Sequence, residues 1–181
     1  MRTVPALPAR IGSIEVTEDA VSTATWDWAH RSLPRYLLAH SIRAYCWGAT
    51  LGAAEGLDYE APILWSASLM HDVGLTSIPR NSMCFEFQGA STAQRFLERQ
   101  GMGVEAADRA AKAIELHMAP SVTIADGTES VLLDRATSID VRGTDYELIG
   151  ATRAAVMQAF PRGAFDRHFL AAIRQIGRAH V

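Results

Sequence analysis

The amino-acid sequence predicts an all-α fold, and the spacing of its apolar residues is the main reason. Apolar and small residues recur at helical intervals in successive segments, and Gly or Pro separates these segments. No segment shows a convincing alternation of apolar and polar residues between hairpin turns, which is the pattern expected of half-buried strands. The sequence also shows no internal repeat and no low-complexity tract.

Candidate helices follow one another along the chain. Ser32 as a cap and Pro34 in a first turn begin a helix that ends near Gly52 or Gly56. Residues from about 59 to 73 form the next helix, and residues 74–87 hold Gly, Pro and Asn and are expected to form a loop. Further helices are expected over residues 89–100, 104–118, 128–141, 151–160 and 165–175.

Composition places the protein among ordinary globular chains. Its 181 residues, 49% of them hydrophobic and 20% charged, suit one domain with a sizeable core. The formal net charge of −3 gives no electrostatic reason to expect binding to nucleic acid or to an acidic membrane. We therefore expect the binding partner to be a small-molecule substrate. The sequence does not decide between a monomer and a homo-oligomer.

Cysteine content and hydropathy bear on the cellular compartment. Cys46 and Cys84 are the two cysteines, and they form no CxxC pair and no disulfide framework. No apolar run reaches the length of a membrane span, and the N-terminus lacks the apolar core of a signal peptide. These features predict a cytoplasmic protein.

The chain divides into three parts. We expect residues 1–25 to be an N-terminal arm, because they are mixed in composition and contain Pro. Residues 26–175 are expected to form the single domain. Residues 176–181 resemble translated sequencing-adapter sequence, so we expect a non-native tail there and leave His180 out of any site.

One stretch, residues 64–74, is the centre of the functional prediction. An apolar helical run ends in His71 and Asp72, two side chains that bind zinc or ferrous iron, and Gly74 follows. Burial of these groups would cost several kcal/mol unless they were paired or bound to metal. We expect Gly74 to take the left-handed conformation that ends a helix, so that both side chains face a pocket.

Three further polar residues lie on apolar helix faces. His40 is within the first long helix, His117 ends a helix with Ala110, Ala113 and Ile114 on its face, and Asp140 follows Leu133 and Ala136 in the same way. Each residue alone is more often a hydrogen-bonded core residue or a helix cap. Their coincidence with the His71-Asp72 pair in one small domain predicts a shared site.

The order His40, His71-Asp72, Asp140 resembles the metal-binding pattern of the HD superfamily of all-helical metallohydrolases. More of the chain, roughly residues 30–170, is similar to cyanamide hydratase-type members of that superfamily. The segments that carry the similarity are LAHSIR (38–43), LMHDVGLT (69–76), FEFQGA (85–90), IELH (114–117) and IDVRG (139–143). Gln88 departs from the acidic residue expected in much of this group.

The resemblance implies an HD-domain helical bundle and a metal-dependent lyase. One divalent ion, Zn²⁺ as the first choice and Fe²⁺ as the alternative, would be bound by His40, His71, Asp72 and Asp140. A metal-bound hydroxide would then hydrate cyanamide to urea, or a related small nitrile to its amide. Only His117 lies between Asp72 and Asp140 as an additional histidine, so a mononuclear site is expected.

Four other residues are candidates for the reaction itself. His117 is the first candidate for proton transfer, because histidine titrates near neutrality, and a fifth metal ligand or a partner of a ligand is its alternative role. Glu86 is the second candidate, although a salt bridge or helix cap explains it equally well. Asn81 and Thr137 are candidates for hydrogen bonds to a small polar substrate, while an Asn in such a loop usually makes a turn.

Two other functions compete with nitrile hydration. An HD-type phosphohydrolase acting on a nucleotide or another phosphomonoester would need the same ion and cations for phosphate, which Arg43, Arg80 and Arg142 could supply. The residues by themselves do not separate this enzyme from a hydratase. A degenerate binding or regulatory domain is the third possibility, and the intact set of metal-type residues argues against it.

Overall fold

The expected all-α class is confirmed by a computed structural model, which describes residues 3–76, 85–143, 147 and 149–179. The strands within these ranges form one short antiparallel hairpin of β1 (Arg10–Ile11) and β2 (Ile14–Glu15). The helices are α1 (Ala20–Ser32), α2 (Arg35–Glu55), α3 (Ala61–Met70), α4 (Val73–Thr76), α5 (Phe85–Arg99), α6 (Val104–Leu116), α7 (Thr128–Arg142), α8 (Gly150–Ala159) and α9 (Phe165–Ala179), and a 3₁₀ turn (Ile124–Asp126) precedes α7.

Helix α1 begins inside the segment that was expected to be an arm. Its N-cap is Asp19, whose carboxylate accepts hydrogen bonds from the amides of Val21 and Ser22 at 2.8 and 2.9 Å. The helix contains two Ser, two Thr and two Trp, which have lower helix propensity than Ala or Leu, and this composition hides it from the sequence pattern. Burial of Trp26 and Ala29 against the core compensates for that low propensity.

The segment before α1 is held against the helices. Ile11 and Val16 are 3% and 5% exposed and belong to the hydrophobic core. The Tyr45 hydroxyl donates to the Glu15 carbonyl at 2.8 Å, and the Trp26 indole donates to the Pro5 carbonyl at 2.8 Å. Buried contacts and hydrogen bonds therefore fix this part of the chain.

Helix α3 lies at the centre of the molecule. Every residue from Ile63 to Met70 is buried, and α3 packs against α1, α2, α5, α6 and α7. On one side, Trp65 stacks on Trp26 with ring centroids 6.0 Å apart and meets the edge of Tyr45 at 4.8 Å. The C-terminal end of α3, which carries His71, is therefore surrounded by protein.

Gly74 does not have the predicted role. It lies inside the short helix α4, and the glycines with positive φ in the described chain do not include it. An added Cβ at Gly74 would overlap the backbone carbonyl of Phe85 at the start of α5. Glycine is required here because two backbones approach closely, whereas the left-handed helix ends are at Gly56 (φ 64°) and Gly143 (φ 74°).

Within the described ranges, no helix combines the length and the apolar character that a membrane crossing demands.

Candidate metal centre

Three of the predicted ligands meet at one point. His40 comes from α2, while His71 and Asp72 occupy the turn between α3 and α4. Their side chains are at most 2% exposed, and one potential ligand atom from each lies within 4.8 Å of the other two. The break in helical structure after Met70 allows adjacent residues to point to the same place, as expected for this stretch.

Hydrogen bonds orient both imidazole rings. The Nδ1 atom of His40 donates to the Asp140 carboxylate at 2.7 Å, and Nδ1 of His71 donates to the Ser68 carbonyl at 2.8 Å. In a neutral ring this leaves a lone pair on each Nε2. The two Nε2 atoms face each other at 3.1 Å.

Asp72 adds a third acceptor at the same point. Its Oδ2 is buried and, among the described residues, has no hydrogen-bond donor. The Nε2 atoms of His71 and His40 lie 3.3 and 3.7 Å from this oxygen. Three lone pairs that converge in a buried place need a positive charge between them, and two imidazoles with a carboxylate suit zinc or ferrous iron. The residues therefore fit a divalent metal ion.

The pKa shifts of His71 and Asp72 are also consistent with a metal site. Burial alone would lower the pKa of His71, but the Asp72 carboxylate, the hydrogen bond to Ser68 and the charge of Asp140 together outweigh burial and raise it. Burial alone would raise the pKa of Asp72, and the adjacent histidines instead hold it well below its usual range. The pair thus favours a positive charge at the position where the acceptor atoms converge.

Asp140, the fourth predicted ligand, lies behind His40 and outside this group of three. Its Oδ2 accepts from His40 Nδ1 at 2.7 Å and from Arg43 Nη2 at 2.6 Å, while Oδ1 accepts from Arg43 Nε at 2.7 Å and Trp47 Nε1 at 3.0 Å. Burial would raise the pKa of Asp140, but the hydrogen bonds from Arg43 and His40 hold it well below its usual range. The ionised carboxylate therefore fixes the tautomer of His40.

Arg43 and Trp47 belong to the site as partners of Asp140, a role that the sequence did not predict: Arg43 was a candidate only for binding phosphate. They follow His40 by three and seven positions on α2, so they share its helix face, and this spacing is the signal that could have found them. Arg43 is completely buried, and it also donates to the Phe160 carbonyl at 3.2 Å. The Arg43 guanidinium donates hydrogen bonds to Asp140 and is therefore not available to bind a phosphate group.

A cavity of about 100 Å³ opens beside the three ligands. Residues from five regions of the chain line it: His40 from α2, His71 and Asp72, the segment that ends α6 (His117, Met118 and Ala119), one face of α7 (Asp134, Thr137, Ser138, Val141 and Arg142), and Phe169 from α9.

His117 lies in the cavity wall but outside the group of three. It is 3% exposed, and the centroid of its ring is 5.0 Å from that of His71. Its Nδ1 donates to the Ile114 carbonyl at 2.5 Å, so Nε2 is the atom that remains for proton exchange. Burial, followed by the charge of His71, lowers its pKa to about 4, which makes the ring neutral at pH 7.

The other predicted residues have different positions. Thr137 lines the cavity, and its hydroxyl donates to the Asp134 backbone carbonyl at 2.9 Å. Glu86 is half-buried in the first turn of α5 and is not among the described residues that line the cavity. Asn81 and Arg80 lie outside the described residues, as does Cys84. The catalytic and substrate-binding roles given to these residues stay predictions.

Two phenylalanines on α9 complete the site. The Phe165 ring stacks on His40 with centroids 4.7 Å apart, and Phe169 stacks on Phe165 at 5.0 Å and reaches the cavity. Sequence reasoning missed both, although their spacing of four residues places them on one helix face. These two rings cover the face of the His40 imidazole on which Phe165 stacks, and they exclude water from that face.

No family model matches this chain, and no curated protein sequence matches it. The resemblance to cyanamide hydratase-type HD proteins therefore stays a hypothesis. The geometry and chemistry of the described residues are the other support for a proposed function.

Proposed function

We propose that this protein binds one divalent metal ion through His40, His71 and Asp72 and hydrates a small nitrile, with cyanamide as the first choice. The observation that carries the proposal is the convergence of two Nε2 lone pairs and one unpartnered carboxylate oxygen at a buried point. The cavity beside that point gives a small substrate access to it. The sequence resemblance supplies the reaction class.

The ligand set supports Zn²⁺ first and Fe²⁺ as the alternative, because imidazole and carboxylate suit both ions. A divalent ion held by these residues would supply an activated water, whose pKa falls to about 7 in such sites. Three protein ligands with further positions open is the usual composition of a catalytic zinc site. A cytoplasmic setting is part of the proposal, on the grounds of cysteine content and hydropathy given above.

We assign Asp140 the role of positioning His40. Within the part of the chain that the structure describes, four hydrogen bonds to its carboxylate come from His40, Arg43 and Trp47. A carboxylate that accepts a hydrogen bond from the N–H of the non-ligating nitrogen of a histidine fixes the ring and makes its ligating nitrogen a better electron-pair donor. This assignment replaces the fourth-ligand role with an indirect one, which a metal-affinity measurement distinguishes.

His117 is assigned the proton transfers. Neutral His117 can accept a proton at Nε2 from the attacking water as the new C–O bond forms and one C–N π bond breaks. It then returns the proton to the nitrile nitrogen, and the resulting imidic acid becomes the amide when its hydroxyl proton moves to that nitrogen. With cyanamide the product is urea.

The phosphohydrolase alternative has one supporting observation. Arg142 lies on the cavity wall and is exposed, so its guanidinium could meet an anionic group. Arg43 is unavailable because Asp140 and backbone carbonyls engage it. Among the described residues that line the cavity, Arg142 is the only Arg or Lys, and a dianionic phosphate usually meets several cations.

The test is an assay of purified, Zn²⁺- or Fe²⁺-loaded protein with cyanamide and, separately, with a panel of phosphomonoesters. Urea and inorganic phosphate are the respective products. We expect urea from the wild type and none above background from His71→Ala. Release of phosphate alone would establish the alternative, and activity on neither class would support a binding or regulatory domain.

A further inference from the structure

The face of α7 that lines the cavity is rich in hydrogen-bond acceptors. Asp134, Thr137 and Ser138 occupy positions i, i+3 and i+4, so their side chains share one side of the helix. Asp134 is half-buried and lines the cavity beside Thr137 and Ser138. Burial raises the pKa of the Asp134 carboxyl, and the positive charges of Arg142 and Arg135 offset part of that effect.

Thr137 presents an acceptor as well. Its hydroxyl proton is directed to the Asp134 backbone carbonyl at 2.9 Å, so the lone pairs of Oγ1 are what remain for a ligand. The neutral His117 ring across the cavity likewise keeps Nε2 as an acceptor. A ligand between these groups must therefore bring N–H donors to satisfy them.

We propose that Asp134, together with Thr137, is a specificity determinant that selects nitriles carrying an amino group over nitriles carrying an alkyl group. This inference rests on the proposed function, and it adds the substrate class. Cyanamide and acetonitrile have nearly the same shape, but the first ends in NH₂ and the second in CH₃. An amino group can donate to the Asp134 carboxylate and to Thr137 Oγ1, whereas a methyl group leaves both without a donor.

The same hydrogen-bond acceptors also disfavour the binding of phosphate. We call these groups, which are the Asp134 carboxylate, Thr137 Oγ1 and His117 Nε2, the acceptor wall. A phosphate dianion beside Asp134 would meet a carboxylate of like charge and acceptors that it cannot satisfy. Arg142, which lies eight residues further along α7 and is exposed, could offset this only in part. The wall thus fits a small neutral molecule with N–H groups.

A binding experiment tests the acceptor wall without relying on turnover. Urea and acetamide are the hydration products of the two nitriles, and they too differ by NH₂ against CH₃. Calorimetric titration of the wild type should give about 10-fold or greater preference for urea, since a hydrogen bond to a charged group is worth about 1.5–3 kcal/mol. Asp134→Ala should abolish that preference, and Thr137→Val should reduce it.

Asp108→Ala is the matched control, because Asp108 is exposed on α6 and is not among the described residues that line the cavity, and the change removes the same charge. It should keep the preference for urea. In the assay, the ratio of kcat/KM for cyanamide over acetonitrile should fall about 10-fold or more in Asp134→Ala while metal content is unchanged.

The outcomes separate this inference from the proposed reaction. Equal binding of urea and acetamide by the wild type, no binding of urea, or an unchanged preference in Asp134→Ala would overturn the inference even if cyanamide is hydrated. A preference for urea that depends on Asp134, in a protein that hydrates neither nitrile, would uphold the acceptor site and reject the proposed reaction.

Discussion

The Nε2 atoms of His40 and His71 face each other at 3.1 Å, each on a ring whose other nitrogen donates a hydrogen bond. Two neutral imidazoles in this arrangement would place lone pair against lone pair, and the buried Asp72 carboxylate adds a third acceptor 3.3 Å from His71. A positive ion between them satisfies all three. The predictions below depend on this relationship.

The first prediction concerns retention of the metal. His71→Ala removes one of three ligands and leaves the buried Asp72 carboxylate short of positive charge. We expect this variant to lose the ion and to melt at a lower temperature, because the binding free energy is shared with folding. Elemental analysis and thermal unfolding measure the two effects. His168→Ala is the control, since His168 is exposed on α9, and full metal occupancy in His71→Ala would disprove the assignment.

The second prediction concerns stoichiometry. Among the described residues, His40, His71 and Asp72 are the single group of three or more His, Cys, Asp or Glu side chains whose ligand atoms converge. We therefore expect about one equivalent of Zn²⁺ or Fe²⁺ per chain, as in a mononuclear site. Elemental analysis after gel filtration gives the ratio. Two tightly bound ions about 3.5–4 Å apart, the spacing of two-metal sites, would contradict this prediction.

The third prediction separates proton transfer from metal binding. His117 lines the cavity but is not part of the three-residue group. His117→Ala should therefore keep the ion while kcat on the true substrate falls by about 10²–10⁴, the usual contribution of a general acid–base group. Metal content and kcat are measured on the same sample. Loss of the ion as complete as in His71→Ala would make His117 a ligand, and Glu86 would become the next candidate for proton transfer.

The fourth prediction concerns pH and stability. Burial lowers the pKa of His117 from 6.5 to about 4, so below pH 6.5 the unfolded chain binds a proton that the folded chain does not. The contribution of His117 to stability is therefore present above pH 6.5 and is lost as the pH falls towards 4. With chelator present, urea denaturation should give a difference in unfolding free energy, wild type minus His117→Gln, that decreases over this window. Parallel pH curves for the two proteins would refute it.

The fifth prediction concerns Asp140. Asp140→Asn leaves the buried Arg43 guanidinium without its counter-charge, and such a broken pair costs about 3–5 kcal/mol of unfolding free energy. Asp27→Asn is the control, because Asp27 pairs with Arg31 at the surface, where an ion pair is worth about 1 kcal/mol or less. Urea denaturation compares the two variants.

Metal affinity in Asp140→Asn decides the role of this residue. A residue that positions His40 should weaken the binding of Zn²⁺ by about 10–100-fold when it is changed. Competition with a chelator of known affinity measures the change. Complete loss of the ion, in a variant that still folds, would instead restore Asp140 to the fourth-ligand role predicted from the sequence.

Local sequence patterns were enough to predict most of the helices. Helical periodicity with Gly and Pro at the boundaries predicted α2, which lies between Pro34 and Gly56, and α7, which ends at Gly143. Helix α1 was missed because its propensity is low and its stability comes from a cap and from burial. Gly74 was misinterpreted because its reason, the approach of the Phe85 backbone, comes from another helix.

The candidate site, like the fold, was predictable from local sequence patterns only in part. The sequence by itself determined the all-α class and the set of polar residues on apolar faces, because residue type and spacing are local properties. Only the tertiary structure decided which of these residues meet, that Asp140 accepts from His40 over a separation of 100 residues, and that Asp134 and Thr137 form an acceptor wall. A periodic pattern defines a helix face, but the partners that orient a side chain come from distant segments, and packing alone brings them together.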